Sequence, residues 1–275
     1  MSFEVELGWA SEKGPRALNE DFVGARRSAP GDGAAGVIAA LAVGVSGGGL
    51  GLEAAQTTVM ALLNDFFSTP ATWEMSVALD RLITAQNQWL LAHNRQREGM
   101  GDGQSGLTTL SALVLQGQVF TLAHVGDSRI WRVSGGQAEL LTQDHTHAHP
   151  DRRSQLTRAM GLDDTVHIDF LQGEACIGDC FVLTSDGVHG VLKAEQIAHW
   201  ALDGSAQDAA SALAGAALHE GGTDNASALV LRVRGLDAAR LEDEIGRTRH
   251  LGPLPRCRVG DVVDGYTITA LVADT

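Results

Sequence analysis

The sequence predicts an α+β fold, a β-sandwich of two antiparallel sheets flanked on its outer faces by pairs of helices. Three observations point there. Strand-like segments crowd together between residues 107 and 133 instead of alternating one by one with helices, as a parallel doubly wound sheet would require. Helical segments come in consecutive pairs, 52–67 with 72–94 and 193–202 with 206–221. Some strands are apolar without alternation, which demands burial on both faces.

In chain order, FEVELGWA alternates from Phe3 and reads as a strand. AGVIAALAVGV, residues 35–45, is a continuous apolar run and so a fully buried strand. After the glycines, LEAAQTTVMALLNDFF has helical spacing, with Leu52, Ala55, Val59, Leu62 and Leu63 near one face. TWEMSVALDRLITAQNQWLLAHN is a second helix, and Asn94 is expected to end it. REGMGDGQSG reads as a loop. LTTLSALVLQ, QVFTLAHVG and SRIWRV are strands, with turns at Gln116–Gln118 and at SGGQ. CFVLTSDG is a buried strand that ends in a polar turn. KAEQIAHWAL and AQDAASALAGAALHEG are helical, and ASALVLRVRG closes as a strand. The character changes beyond Gly235. LDAARLEDEIGRTRH reads as a charge-mixed helix and LGPLPRC as a linker, followed by a new strand-like unit. The expected division is therefore a domain over 1–235, a helix and linker over 236–256, and a further unit over 257–275.

The net charge of −14 and pI near 5.0 argue against a nucleic-acid or anionic-membrane surface, which needs basic residues. The N-terminus shows no basic segment followed by an apolar one, and no apolar run is long enough for a membrane helix. A cytoplasmic protein is expected. Cys176, Cys180 and Cys257 are read as buried thiols in a reducing compartment.

Carboxylates recur at strand ends. NEDF sets Asn19, Glu20 and Asp21 against Phe22 and Val23. VGDSR puts Asp127 and Arg129 after an apolar strand, SDG does so for Asp186, and TDNAS puts Asp224 before the last strand. Each alone could be a solvated surface acid, an Asx-turn or a cap. Converging at one sheet edge, they would repel one another unless cations neutralised them. Carboxylates, water and a backbone carbonyl are the ligand set of hard divalent ions such as magnesium or manganese. Two such ions can generate a nucleophilic water and clamp a phosphate, and Arg16 is then a candidate to hold the phosphoryl oxygens.

These motifs resemble the metal-dependent PPM-type (type 2C) serine/threonine protein phosphatases, bacterial branch. RALNEDF, GLTTLSALVL, LAHVGDSRIWRV, LTQDHT, LTRAMG, VLTSDGV and TDNASALV occur in the family's order and spacing between about Phe3 and Gly235. The resemblance implies a β-sandwich with helical pairs and a site for two Mn²⁺ or Mg²⁺ ions, often a third. It also implies phosphoprotein substrates that are dephosphorylated by metal-activated water. Arg16 would contact the phosphate. Glu20 and Asp21 would hold the metals largely through water, Asp186 and Asp224 directly, and Asp127 would join Asp186 at a third ion. Gly44 would supply a carbonyl and Asn225 would support Asp224. Ser128 and His145 match motif positions and are read as scaffold. The position of a general-acid histidine in some eukaryotic members falls at Val45.

One motif departs from the family. Where the pattern reads Ala-Asp-Gly, alignment on Gly51 puts Val43 at the metal-bridging aspartate; alignment on Glu53 would put Val45 there and is worse. A valine cannot bridge two cations, so metal occupancy and catalysis are expected to be impaired, through either an introduced change or a natural pseudophosphatase. GVSGGGLG lacks the Lys-Ser/Thr pair of a nucleotide-binding P-loop. VGDVVDGYTITALVADT resembles the first strand of a protein-kinase domain, and the alternative is an ordinary C-terminal strand. It contains no glycine-rich loop or DFG, so this chain is not itself a kinase. A fused or cognate Ser/Thr kinase is the partner this resemblance suggests.

Overall fold

The computed structural model describes residues 3–29, 36–45, 50–99, 105–147, 155–237, 262–263, 266–267 and 269–270. The chain divides into two compact units, Met1–Ala238 and Ala239–Thr275. The helix and linker read over 236–256 fall almost entirely outside the described residues. In the second unit, Val262–Val263 pairs antiparallel with Tyr266–Thr267.

In chain order the first unit contains β1 (Glu4–Glu12), β2 (Asp21–Arg27), β3 (Gly36–Val45), α1 (Leu50–Asp65), α2 (Met75–Gly99), β4 (Leu107–Thr108), β5 (Leu110–Gln116), β6 (Val119–Val125), β7 (Arg129–Ser134) and β8 (Gln137–Leu140). It continues with β9 (Asp169–Glu174), β10 (Cys180–Thr184), α3 (Asp186–His189), α4 (Ala194–Leu202), α5 (Ala206–His219) and β11 (Ala226–Gly235). One sheet runs β1-β11-β10-β7-β8. The other runs β2-β3-β5-β6-β9, with β4 paired to β3. The described pairings are antiparallel throughout.

The apolar strands are buried on both faces because each sheet is covered twice. Between the sheets, Val37, Leu41, Leu113 and Leu122 meet Ile130, Phe181, Leu229 and Leu231. The alternate residues of the same strands, Ile38, Ala40, Leu110 and Val114, pack under α1 and α2. On the other outer face α4 and α5 lay Ile197, Ala210, Leu213 and Ala214 on Val182 and Val230. The result is the expected sandwich with helical pairs outside it.

Several expectations need correction. Helix α2 does not stop at Asn94 but runs to Gly99. Asn94 is buried, and its amide bonds both the carbonyl and the N–H of Gly106 at 3.0 Å, which removes its tendency to end the helix. LTTLSALVLQ is two strands, because the Thr109 backbone N–H turns to the Val43 carbonyl at 2.9 Å. Strands β2, β8 and β9 were not expected, and the turn after β10 is the short helix α3. Cys176 is exposed, whereas Cys180 is buried, and Cys257 lies outside the described residues.

Candidate functional site

One cleft of about 430 Å³ lies at the strand ends. Its walls include Arg16, Glu20, Asp21, Val43, Gly44, Asp127, Asp186, Asp224 and Asn225. The sequence-expected residues, scattered along the chain, are therefore brought together. Asp21 opens β2 and pairs with Val43 across the β2–β3 ladder. Asp127 follows β6, Asp186 begins α3, and Asp224 and Asn225 precede β11.

Two close backbone approaches make this possible. A Cβ on Gly187 would lie 1.9 Å from the Asn225 carbonyl oxygen, so only glycine lets the end of β10 meet the loop before β11. A Cβ on Gly44 would lie 2.3 Å from the Gly51 carbonyl carbon, so the start of α1 rests directly on the end of β3.

Asn225 holds the loop between β1 and β2. Its amide nitrogen donates to the Lys13 carbonyl at 2.8 Å and the Leu18 carbonyl at 2.9 Å, while its oxygen accepts the Glu20 N–H at 3.0 Å. Arg16 stands on this loop, largely exposed, and its Nη2 bonds Asp224 Oδ2 at 2.6 Å. The Gly187 N–H donates to Asp186 Oδ1 at 2.9 Å, and the Asn225 N–H to Asp224 Oδ1 at 2.8 Å.

Burial raises the proton affinity of the cleft acids. Asp21 is 5% exposed and its pKa is pushed up to about 7, chiefly by burial. Repulsion from Asp186 and Asp224 adds to this, and the hydroxyls of Ser227 and Ser185 oppose it. Asp127 is likewise raised to about 7, by burial and then by Asp186 and Asp144. Asp186 is raised by burial and by Asp224, while the Gly187 N–H works against the shift. Acids in this state bind a cation in place of their protons.

The donor set suits a hard divalent ion in kind. Glu20 Oε1 and Asp21 Oδ2 are buried with no hydrogen-bond partner, and the cleft offers oxygen donors only. Five carboxylates line the cleft, but among the described residues no three His, Cys, Asp or Glu side chains are grouped as a closed ion site. Val43 occupies the place beside Asp21 where cross-strand neighbours come closest. Its N–H donates to Thr109 Oγ1 at 3.0 Å, and its carbonyl accepts from Thr108 Oγ1 at 3.0 Å, so its backbone is held in place.

His145 and Ser128 have supporting positions. The Gly126 N–H donates to His145 Nδ1 at 3.1 Å, and the His145 N–H donates to the Gly126 carbonyl at 2.7 Å, fixing the turn before Asp127. Ser128 Oγ lies 2.8 Å from Ser111 Oγ beneath it. Sequence reasoning missed Ser185 and Ser227, whose hydroxyls favour the charged form of Asp21. It also missed Leu18 and Leu156, which line the cleft. Ser185 and Ser227 each lie within three residues of a cleft aspartate, which was the available signal.

Comparison with known proteins identifies the family of this chain. The sequence pattern of the family "Protein phosphatase 2C" matches residues 16–220. The serine/threonine protein phosphatase PstP of Mycobacterium tuberculosis is 30% identical over 239 residues, covering 79% of this chain and 43% of that protein. The chain thus spans less than half the length of that relative. The structure of the S. agalactiae serine/threonine phosphatase superposes with a TM-score of 0.74 at 25% identity, covering 84% of this chain and 100% of that one. The catalytic domain of PstP in complex with two manganese ions superposes with a TM-score of 0.69 at 27% identity, covering 84% of this chain and 100% of that one. The chain belongs to the protein phosphatase 2C family.

Proposed function

We propose that this chain is a phosphoserine/phosphothreonine-directed protein phosphatase domain whose turnover is impaired because Val43 stands at the metal-bridging position. One observation carries the reading: Arg16, Glu20, Asp21, Asp127, Asp186 and Asp224 share one cleft, with Val43 opposite Asp21. Mn²⁺ or Mg²⁺ would be held by Asp186 and Asp224 directly, by Glu20 and Asp21 through water, and by the Gly44 carbonyl. Asp127 would act with Asp186 at any third ion. A bound divalent cation would neutralise phosphoryl charge and lower the pKa of an attacking water. Arg16 would leave Asp224 to grip the phosphoryl oxygens, and Asn225 would keep its loop in register. Without a carboxylate at residue 43, charge repulsion between two dications is less compensated, so occupancy of the pair is reduced, at a cost of several kcal/mol on the scale of a broken buried charge pair. The partners in this reading are phosphoproteins and a fused or cognate Ser/Thr kinase, with no nucleic acid and no membrane, in the cytoplasm.

A second reading is favoured by the valine that stands opposite Asp21 in place of a carboxylate. The domain would then be a pseudophosphatase that holds a phosphoprotein without hydrolysing it. Phosphate release from a phosphothreonine peptide in manganese separates the two. The enzyme reading predicts slow release by the chain as it stands and at least a tenfold gain for Val43→Asp. Release by neither protein, with retained binding of the phosphopeptide, supports the binding module. Fast release by the unaltered chain that Val43→Asp leaves unchanged overturns the role given to Val43.

A further inference from the structure

We propose that the cleft selects phosphopeptides with an apolar residue within two positions of the phosphorylated side chain, through a rim formed by Leu18 and Val45. The inference rests on the phosphate-binding reading of Arg16.

Leu18 is 51% exposed and Val45 is 37% exposed, yet both line the acidic cleft. Isolated exposed apolar residues are ordinary; here Ala17, Leu18, Val45 and Leu156 border one cavity together. Val43 and Val45 lie two residues apart on β3 and so point to the same face. An apolar strip therefore runs from the cleft interior to its edge.

The backbone that carries Leu18 is held in place. The Asn225 amide holds the carbonyls of Lys13 and Leu18, and Gly14 sets the loop's turn at φ +59°. A ligand side chain meeting Leu18 therefore does not bear the cost of ordering this loop.

Chain geometry sets the spacing. Arg16 and Leu18 are two residues apart on the pinned loop, so about 7 Å of backbone separates them at most. An extended peptide advances about 3.3 Å per residue, so two positions of a ligand span about the same 7 Å. The chemistry of the neighbouring groups weighs against the alternatives. An acidic flank would face Glu20, Asp21, Asp127, Asp186 and Asp224. A basic flank would be drawn by those same carboxylates, but to lie against Leu18 and Val45 it would give up water beside two apolar side chains.

The test uses the full chain in manganese and peptides built on a hydrolysis-resistant phosphonate analogue of phosphothreonine, so that binding is read independently of turnover. The neighbouring positions carry Leu, Gly, Glu or Arg, and affinity is read by fluorescence anisotropy. Leu-flanked peptides should bind roughly fivefold tighter than Gly-flanked ones, as partial burial of a leucine implies, and Glu-flanked ones weakest. Leu18→Ser should level the Leu and Gly peptides, and Leu18→Met should keep the difference. Equal affinities across the set, tightest binding of Arg-flanked peptides, or an unchanged preference in Leu18→Ser overturns the inference while leaving the phosphate site standing. If no peptide binds better than its unphosphorylated counterpart, the phosphate-binding reading of Arg16 fails, and this inference with it.

Discussion

Val43 lies opposite Asp21, whose carboxyl already has a pKa of about 7 from burial and from the charges of Asp186 and Asp224. A second carboxylate at that place should be costly without a cation and useful with one. Val43→Asp is expected to lower thermal stability in chelator, by about 1–3 kcal/mol on the scale of an unpaired buried acid, and to regain it in manganese. Melting curves in the two buffers read this directly, and a variant equally stable in both would place residue 43 outside the cation's reach. Asn225 makes the complementary case. Its side chain bonds Lys13, Leu18 and Glu20, so Asn225→Ala should cost about 2–4 kcal/mol in denaturant melts and loosen the loop that carries Arg16. The sequence marked nearly all of the cleft's polar residues, because carboxylates beside apolar strands leave a readable signature. Leu18 and Ser227 escaped because a lone leucine in a loop, or a serine in a strand, looks the same whether or not it faces a site.

Among the elements, β3 and β11 were legible because both faces of each are covered, which leaves a long apolar run in the sequence. Strand β9 was not, since most of its residues are exposed or half-exposed at the edge of its sheet. Strand β2 was hidden because the polar NEDF motif opens it and two arginines close it. The end of α2 was misplaced because Asn94 found partners across the fold. Contacts between elements give two opposite glycine predictions. Gly187→Ala forces a methyl group to 1.9 Å from the Asn225 carbonyl, so it should destabilise by several kcal/mol and separate Asp186 from Asp224. Gly215, inside α5, has nothing within 4 Å of an added Cβ, so Gly215→Ala should stabilise by roughly 0.5–1 kcal/mol. Chemical denaturation of both variants checks the pair; destabilisation by Gly215→Ala would contradict the packing described for α5.

At the scale of the molecule, the layer order followed from helices arriving in pairs, whereas the meeting of distant acids at one edge depended on strand order, which composition does not encode. Buried ionisable groups give the whole domain a pH signature. Burial holds His189 near a pKa of about 3, helped by the nearby Arg129 charge, and His124 near about 4, helped by His145. Their folded pKa values lie below the ordinary 6.5, so the unfolded chain takes up protons first, and stability falls as pH drops from about 6.5 toward about 4, by about 1.4 kcal/mol per unit for each group. Asp21 and Asp127 have folded values near 7, above the usual carboxylate range, and so contribute stability at low pH that is lost as pH rises toward 7. In chelator the two trends oppose each other, and the stability profile should be nearly flat between about pH 4.5 and 6.5. Manganese, by holding the acids charged, should leave the histidine slope exposed. The most direct test of the central claim is calorimetric titration of manganese into the chain and into Val43→Asp, with phosphate release followed in the same samples. The account predicts at most one weak site and slow release for the chain as it stands, and two tighter sites with at least tenfold faster release for the variant. Two tight sites and rapid release in the unaltered chain would contradict it.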